Sequence, residues 1–180
     1  IGAWDEAAQT YTLIASTQGV SVVRKILAEA VFKVPPETIR VRTFDVGGGF
    51  GMKVQAYPEY AAVLYAARKI GRPVRWCATR LESFAADTHG RDGLLSGELA
   101  LDANGRFLAL RAGTQVGVGA YVSTHAAIVA TNNTKNCLSS VYRIPAIHID
   151  VEMVLTTAGA LAFGKCGAYG QAFDYAGEER

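Results

Sequence analysis

An α+β domain built from mixed β-sheets with packed helices is the fold this sequence predicts, on three observations. Short segments of alternating apolar and polar residues recur along the chain, as half-buried strands require. Two stretches between them carry apolar residues at helical spacing. A turn signal, Asp102-Ala103-Asn104-Gly105, then introduces a second half in which strands dominate. With 180 residues, the chain is long enough for one domain with a real core or for two small lobes, here placed at about 1–95 and 96–180.

The elements follow in order. Thr10-Tyr11-Thr12-Leu13-Ile14-Ala15-Ser16 alternates as a strand, and Thr17-Gln18-Gly19 is a short loop after it. Residues 20–31 place Val22, Val23, Ile26, Leu27 and Ala30 on one side and Arg24, Lys25 and Glu29 on the other, which predicts an amphipathic helix. Pro35-Pro36-Glu37 ends it. Ile39-Arg40-Val41-Arg42-Thr43-Phe44 reads as a second strand, and residues 60–69 as a second helix. Gly71-Arg72-Pro73 then turns the chain into Val74-Arg75-Trp76-Cys77-Ala78, a third strand with Cys77 in the core. The first half is thus expected as β-α-β-loop-α-β. Residues 97–101 and 106–112 form a hairpin around the Asn-Gly turn, and residues 148–155 another strand. Residues 113–136, poor in charge and rich in Gly, Ala, Ser and Thr, suggest no definite element.

Composition narrows the function. Half of the residues are hydrophobic, 19% are charged and the net charge is +2, which gives no reason to expect nucleic acid or an anionic membrane as partner. No apolar run reaches membrane-spanning length. Cys77, Cys137 and Cys166 form no CxxC pair, and their odd number argues against a disulfide framework, so a reducing cytoplasm is the expected location. The chain begins at Ile1 and ends at Glu178-Glu179-Arg180, which reads as a piece of something longer.

The chemistry-bearing feature is Val46-Gly47-Gly48-Gly49-Phe50-Gly51-Met52-Lys53, placed between a strand and a helix. Successive glycines expose backbone N–H groups and permit φ > 0, so the main chain can lie directly on an anionic or metal-bound ligand. The spacing is neither GxGxxG nor GxxxxGK[ST], and a tight turn needing several left-handed residues would look the same. Gln18, just after a strand, carries an amide able to donate to an oxo or hydroxo ligand without adding charge. His89 and Arg91, near Asp87 and Asp92, read as an anion clamp or as a solvated turn. His125 and His148 lack metal-ligand spacing. Cys166, in Gly164-Lys165-Cys166-Gly167, is either a thiol activated or ligated to a soft metal, or a small buried hydrophobe.

Ser16-Thr17-Gln18, the helix after it, Ile39-Arg40-Val41-Arg42 and Gly47-Gly48-Gly49-Phe50-Gly51-Met52-Lys53 together resemble the large molybdenum-binding subunit of the xanthine dehydrogenase, aldehyde oxidase and aerobic carbon monoxide dehydrogenase family. The likeness continues in order through Gly71-Arg72-Pro73-Val74-Arg75-Trp76, Arg80-Leu81-Glu82, Glu98-Leu99-Ala100-Leu101-Asp102, Gly119-Ala120-Tyr121 and Tyr142-Arg143-Ile144-Pro145, over nearly the whole chain. It implies part of a molybdenum-cofactor-binding domain. Gln18 would hydrogen-bond an oxygen ligand of molybdenum, and Gly48, Gly49, Phe50 and Gly51 would line the metal and its molybdopterin. The implied reaction is hydroxylation by an oxidoreductase acting on aldehydes, N-heterocycles or carbon monoxide. Its electrons would leave through iron–sulfur and flavin subunits or domains. Val54 after Lys53, within Val54-Gln55-Ala56-Tyr57-Pro58, is more like the carbon monoxide dehydrogenase branch than the purine enzymes.

The chain departs from the family's pattern after residue 155. The expected substrate-side arginine is absent or replaced by Lys165, and Gly167-Ala168-Tyr169 does not match the flank of the copper-binding cysteine of carbon monoxide dehydrogenases. Copper at Cys166 is therefore a weak expectation. No carboxylate here matches the family's catalytic glutamate. The chain alone is expected to be inactive and, with apolar faces uncovered, to self-associate or form a homo-oligomer. The alternative is a stand-alone cofactor-binding or interaction module without catalysis.

Overall fold

The computed structural model describes residues 1–90 and 92–157, which form an α+β chain with two mixed three-stranded sheets. Two compact units divide it, Ile1–Ala85 and Ala86–Arg180.

In the first unit, β1 (Gly2–Asp5) runs antiparallel to β2 (Thr10–Ile14), and β2 runs parallel to β3 (Ile39–Arg42). A parallel pair requires a crossover. It is supplied by α1 (Val20–Lys25), which widens into π-helical turns over Ile26–Phe32, where Lys33 ends it in a left-handed conformation (φ 56°). The widening changes which side chains face inward. Val23, Leu27 and Ala28 are buried, whereas Val22 and Ala30, expected on the inner face, are exposed.

The second helix, α2 (Pro58–Ile70), starts and stops on strong signals. Pro58 needs no amide partner in the first turn, Arg68 and Lys69 face the negative end of the helix dipole, and Gly71 (φ 64°) closes it in the left-handed region. Tyr11, Leu13 and Ile39 from the sheet pack with Val23 and Leu27 of the crossover and with Val63 and Leu64 of α2 into one cluster. Burying Leu13, Leu27 and Leu64 completely stabilises the unit by about 1.5–3 kcal/mol each. At its rim, the Arg68 guanidinium lies 4.7 Å from the Trp4 ring centroid and donates to Tyr11 Oη at 3.0 Å.

The expected third strand, residues 74–78, does not form. Val74 makes one antiparallel bridge to Gly2, and the chain then leaves the sheet edge. Cys77, expected in the core, is exposed, as is Trp76. β1 is the edge strand on that side, and its Gly2 lies so close to α2 that a Cβ would meet the Val63 carbonyl carbon at 2.6 Å. A substituted strand cannot make that approach. Next, Thr79 caps α3 (Arg80–Ala86): Glu82 N–H donates to Thr79 Oγ1 at 3.2 Å, and Thr79 N–H donates to Glu82 Oε2 at 2.7 Å. Hydrogen bonds from the Thr79 backbone N–H and, less, from its hydroxyl hold the Glu82 carboxyl below its ordinary range.

In the second unit, β4 (Gly93–Leu101) and β5 (Phe107–Gly119) form the expected hairpin, longer at both ends than its sequence signal. Asp102 Oδ1 accepts from the N–H groups of Asn104 and Arg106 across the turn, with Gly105 at φ 76°. β6 (Ala146–Leu155) pairs parallel to β5. The crossover between them uses residues that had no clear reading: α4 (Ala126–Ile128), π turns over Val129–Asn133 and α5 (Thr134–Cys137). Register sorts the two faces. Glu98–Arg111 (3.1 Å), Gln115–Glu152 and His148–Asp150 (3.0 Å) lie on one; Leu95, Leu99, Leu110, Ile147 and Met153 lie on the other. Val118 and Ala126 are buried together where the crossover packs on the apolar face, while Leu95, Leu99, Ile147 and Met153 stay exposed.

Candidate functional site

β2 and β3 are parallel neighbours, so the loops that follow them leave the same end of the sheet side by side. Ligands of such sheets collect at this end, beyond the carboxyl ends of the strands. The first loop carries Ser16-Thr17-Gln18-Gly19 and the second carries the glycine run.

The two loops are tied together by hydrogen bonds. Ala15 N–H donates to the Arg42 carbonyl at 3.1 Å, continuing the β2–β3 ladder. The Lys53 carbonyl accepts from Thr17 Oγ1 at 2.8 Å and from Gln18 N–H at 3.1 Å. Thr17 Oγ1 also accepts from Gly19 N–H at 3.2 Å. Gln18 Oε1 accepts from Gly51 N–H at 3.1 Å, which fixes the sense of the amide because only its oxygen can accept there. Lys53 folds back to donate Nζ to the Val46 carbonyl, and its own N–H donates to the Gly49 carbonyl at 3.1 Å.

Glycine is demanded here by φ and by space. Gly47, Gly48 and Gly51 have φ of 68°, 99° and 77°. At Gly49 the reason is contact: a Cβ would meet Gln18 Cδ at 2.7 Å and collide with Oε1. Phe50 is the one non-glycine of the turn at positive φ (54°), a conformation that costs about 1–3 kcal/mol. Its ring lies over Gly48, 2.6 Å from where a Cβ would stand, and is largely exposed.

Among the described residues, none accepts a hydrogen bond from the N–H groups of Gly48, Gly49 or Phe50, or from the Gln18 amide nitrogen. The loop pair therefore offers several backbone donors and a neutral side-chain donor, and its one carboxylate, the exposed Asp45, comes before the glycine run. That donor set fits an anionic, oxygen- and sulfur-rich group such as a metal-bound pterin dithiolene with oxo ligands.

Of the other sequence candidates, His89, His125 and His148 belong to the second unit. Arg91 and residues 158–180, with Lys165 and Cys166, lie outside the described residues, so neither the copper expectation nor the His89–Arg91 clamp has a described geometry. Burial lowers the pKa of the His125 imidazole, which stays neutral further into acid. His148 is paired to Asp150 on the exposed sheet face. No group of three His, Cys, Asp or Glu gathers as a metal site among the described residues. Thr17 and the Lys53 carbonyl were not legible as site features, because they meet across 36 positions of sequence with no local signal.

The molybdopterin cofactor-binding domain family matches residues 1–166. This chain belongs to that family. It is 30% identical over 156 residues to the carbon monoxide dehydrogenase large chain of Hydrogenophaga pseudoflava, covering 87% of this chain and 19% of that one. It is 32% identical over 133 residues to subunit gamma of the 6-hydroxypseudooxynicotine dehydrogenase complex of Paenarthrobacter nicotinovorans, covering 74% of this chain and 16% of the relative. Among solved structures, quinoline 2-oxidoreductase from Pseudomonas putida 86 superposes with a TM-score of 0.80 at 33% identity, over 89% of this chain and 20% of that one. The chain thus spans about a fifth of the length of these relatives. The motif resemblance to molybdenum hydroxylase large subunits is thereby established for the family, and the fold is that of their cofactor-binding domains.

Proposed function

We propose that this chain supplies one side of the molybdenum-cofactor cradle in an oxidoreductase that hydroxylates an aldehyde, an N-heterocycle or carbon monoxide. The observation that carries the reading is the unpartnered donor set at the shared end of β2 and β3: Gln18 Nε2 beside the N–H groups of Gly48, Gly49 and Phe50. When bound, the cofactor would accept two electrons from the substrate while the oxygen that enters the product comes from water. The residues of this chain have narrower tasks. Gln18 would help hold the group through its amide nitrogen, a neutral donor that would leave the charge of the centre unaltered. The glycine loop brings backbone donors close to the pterin dithiolene because no Cβ stands between them. Phe50 presents an exposed ring at the rim of the glycine loop.

Val54 after Lys53 supports a substrate other than a purine, with carbon monoxide and N-heterocycles favoured by the relatives this chain matches. The Paenarthrobacter relative is named as a subunit of a complex, and iron–sulfur and flavin subunits or domains are the partners that would take the electrons. The uncovered apolar face of the β4–β6 sheet supports self-association. Among the described residues no helix is long and apolar enough to cross a membrane.

The reading is tested in the full-length protein by Gln18→Leu, which removes the amide and keeps the bulk. Turnover is expected to fall about 10²–10³-fold, the cost of deleting one pre-placed donor, while molybdenum content stays within about twofold. Turnover at the unsubstituted rate would remove Gln18 from the site.

A further inference from the structure

We propose that Thr17 is a positioning residue, whose buried hydroxyl locks the backbone of Gln18 so that the Gln18 amide stays aimed by the Gly51 N–H. The proposal rests on the cradle reading above and names how the donor in that cradle is held.

Gln18 is an exposed side chain on a loop, and one hydrogen bond to Gly51 does not by itself hold a long exposed side chain in a single rotamer. Something has to fix the backbone first. Thr17 is 1% exposed, and its Oγ1 both donates to the Lys53 carbonyl (2.8 Å) and accepts from Gly19 N–H (3.2 Å). The same carbonyl takes Gln18 N–H at 3.1 Å. Residues 17, 18 and 19 are thereby pinned as a unit to one atom of the glycine loop, with Gln18 in the middle. Lys53 is not a loose anchor. Its Nζ returns to the Val46 carbonyl and its N–H to the Gly49 carbonyl, so it spans the glycine run from end to end. The hydroxyl is the only part of Thr17 that can make both bonds. A valine fills the same volume and makes neither, leaving Gly19 N–H without a partner and the Lys53 carbonyl with one donor instead of two.

The test uses the full-length holoprotein with Thr17→Val and Thr17→Ser, and Thr17→Ala where the valine variant does not accumulate. Amide hydrogen exchange across residues 48–53 is read against residues of the unit's core. The expected result is exchange about tenfold faster at Gly51 in the valine variant, unchanged in Leu13 and Leu64, and restored to within about twofold by serine. A molybdenum(V) electron paramagnetic resonance spectrum, shifted in the valine variant and restored in the serine variant, would carry the effect to the metal. Faster exchange with an unshifted metal spectrum would support the clamp and fail the cradle reading. Unchanged exchange at Gly51, or equal acceleration throughout the core, would overturn the proposal.

Discussion

Substituting alanine for Gly49 in the full-length protein is expected to lower turnover about a hundredfold, the loss typical of displacing a site group by about an ångström. Gly49 needs no left-handed conformation, so alanine brings no backbone strain and the effect isolates one contact. The added Cβ would stand 2.7 Å from Gln18 Cδ and 2.9 Å from Gln18 Cβ. Distances that short cannot persist. Because the second atom is close to the main chain, a turn of the amide does not relieve them, and the loop at Gln18 has to shift. Thr17 and Lys53 oppose that shift, so the Gly51–Gln18 bond is the part that gives way. Steady-state kinetics with molybdenum content measured on the same sample checks this. Turnover within about threefold of the unsubstituted protein would show that Gln18 adapts without consequence.

The largest loss of stability is expected from Leu64→Ala. Leu64 is fully buried in α2 and packs in the cluster with Leu13, Val23 and Leu27, so its deletion leaves a cavity that the sheet and two helices cannot fill. The cost is about 2–5 kcal/mol. Cys77→Ser, by contrast, touches an exposed side chain and is expected to change stability by no more than about 0.5 kcal/mol. Urea unfolding midpoints of the two variants test the pair. An equal loss in both would contradict the placement of Cys77 at the surface.

The segment around Cys77 shows where sequence reasoning reached its limit. Val74-Arg75-Trp76-Cys77-Ala78 has the composition of a strand, but only Val74 pairs, with Gly2 on the outer edge of β1, before the chain leaves that edge. How far a strand-like segment pairs is decided by tertiary packing and has no local signature. The inward face of the first crossover departs from the helical period because the widened turns over Ile26–Phe32 change which side chains face the sheet. Where signals were local, they were sufficient. Pro58 and Gly71 mark the ends of α2, and Asn104-Gly105 marks the turn between β4 and β5. The candidate site divides in the same way. The glycine run and Gln18 stand out singly, but their bond across Gly51 and the Thr17–Lys53 tie depend on β2 and β3 being parallel neighbours, which only the fold decides.

The central claim is that the paired loops at the end of β2 and β3 hold the molybdenum cofactor. Its most direct test is to quantify molybdenum and pterin together in the purified full-length protein and in its Gly49→Ala variant. The account predicts about one of each per chain in the unsubstituted protein, and a variant that either loses both or keeps them with an altered metal spectrum. Unsubstituted protein free of both, after expression in cells that make the cofactor, would contradict it.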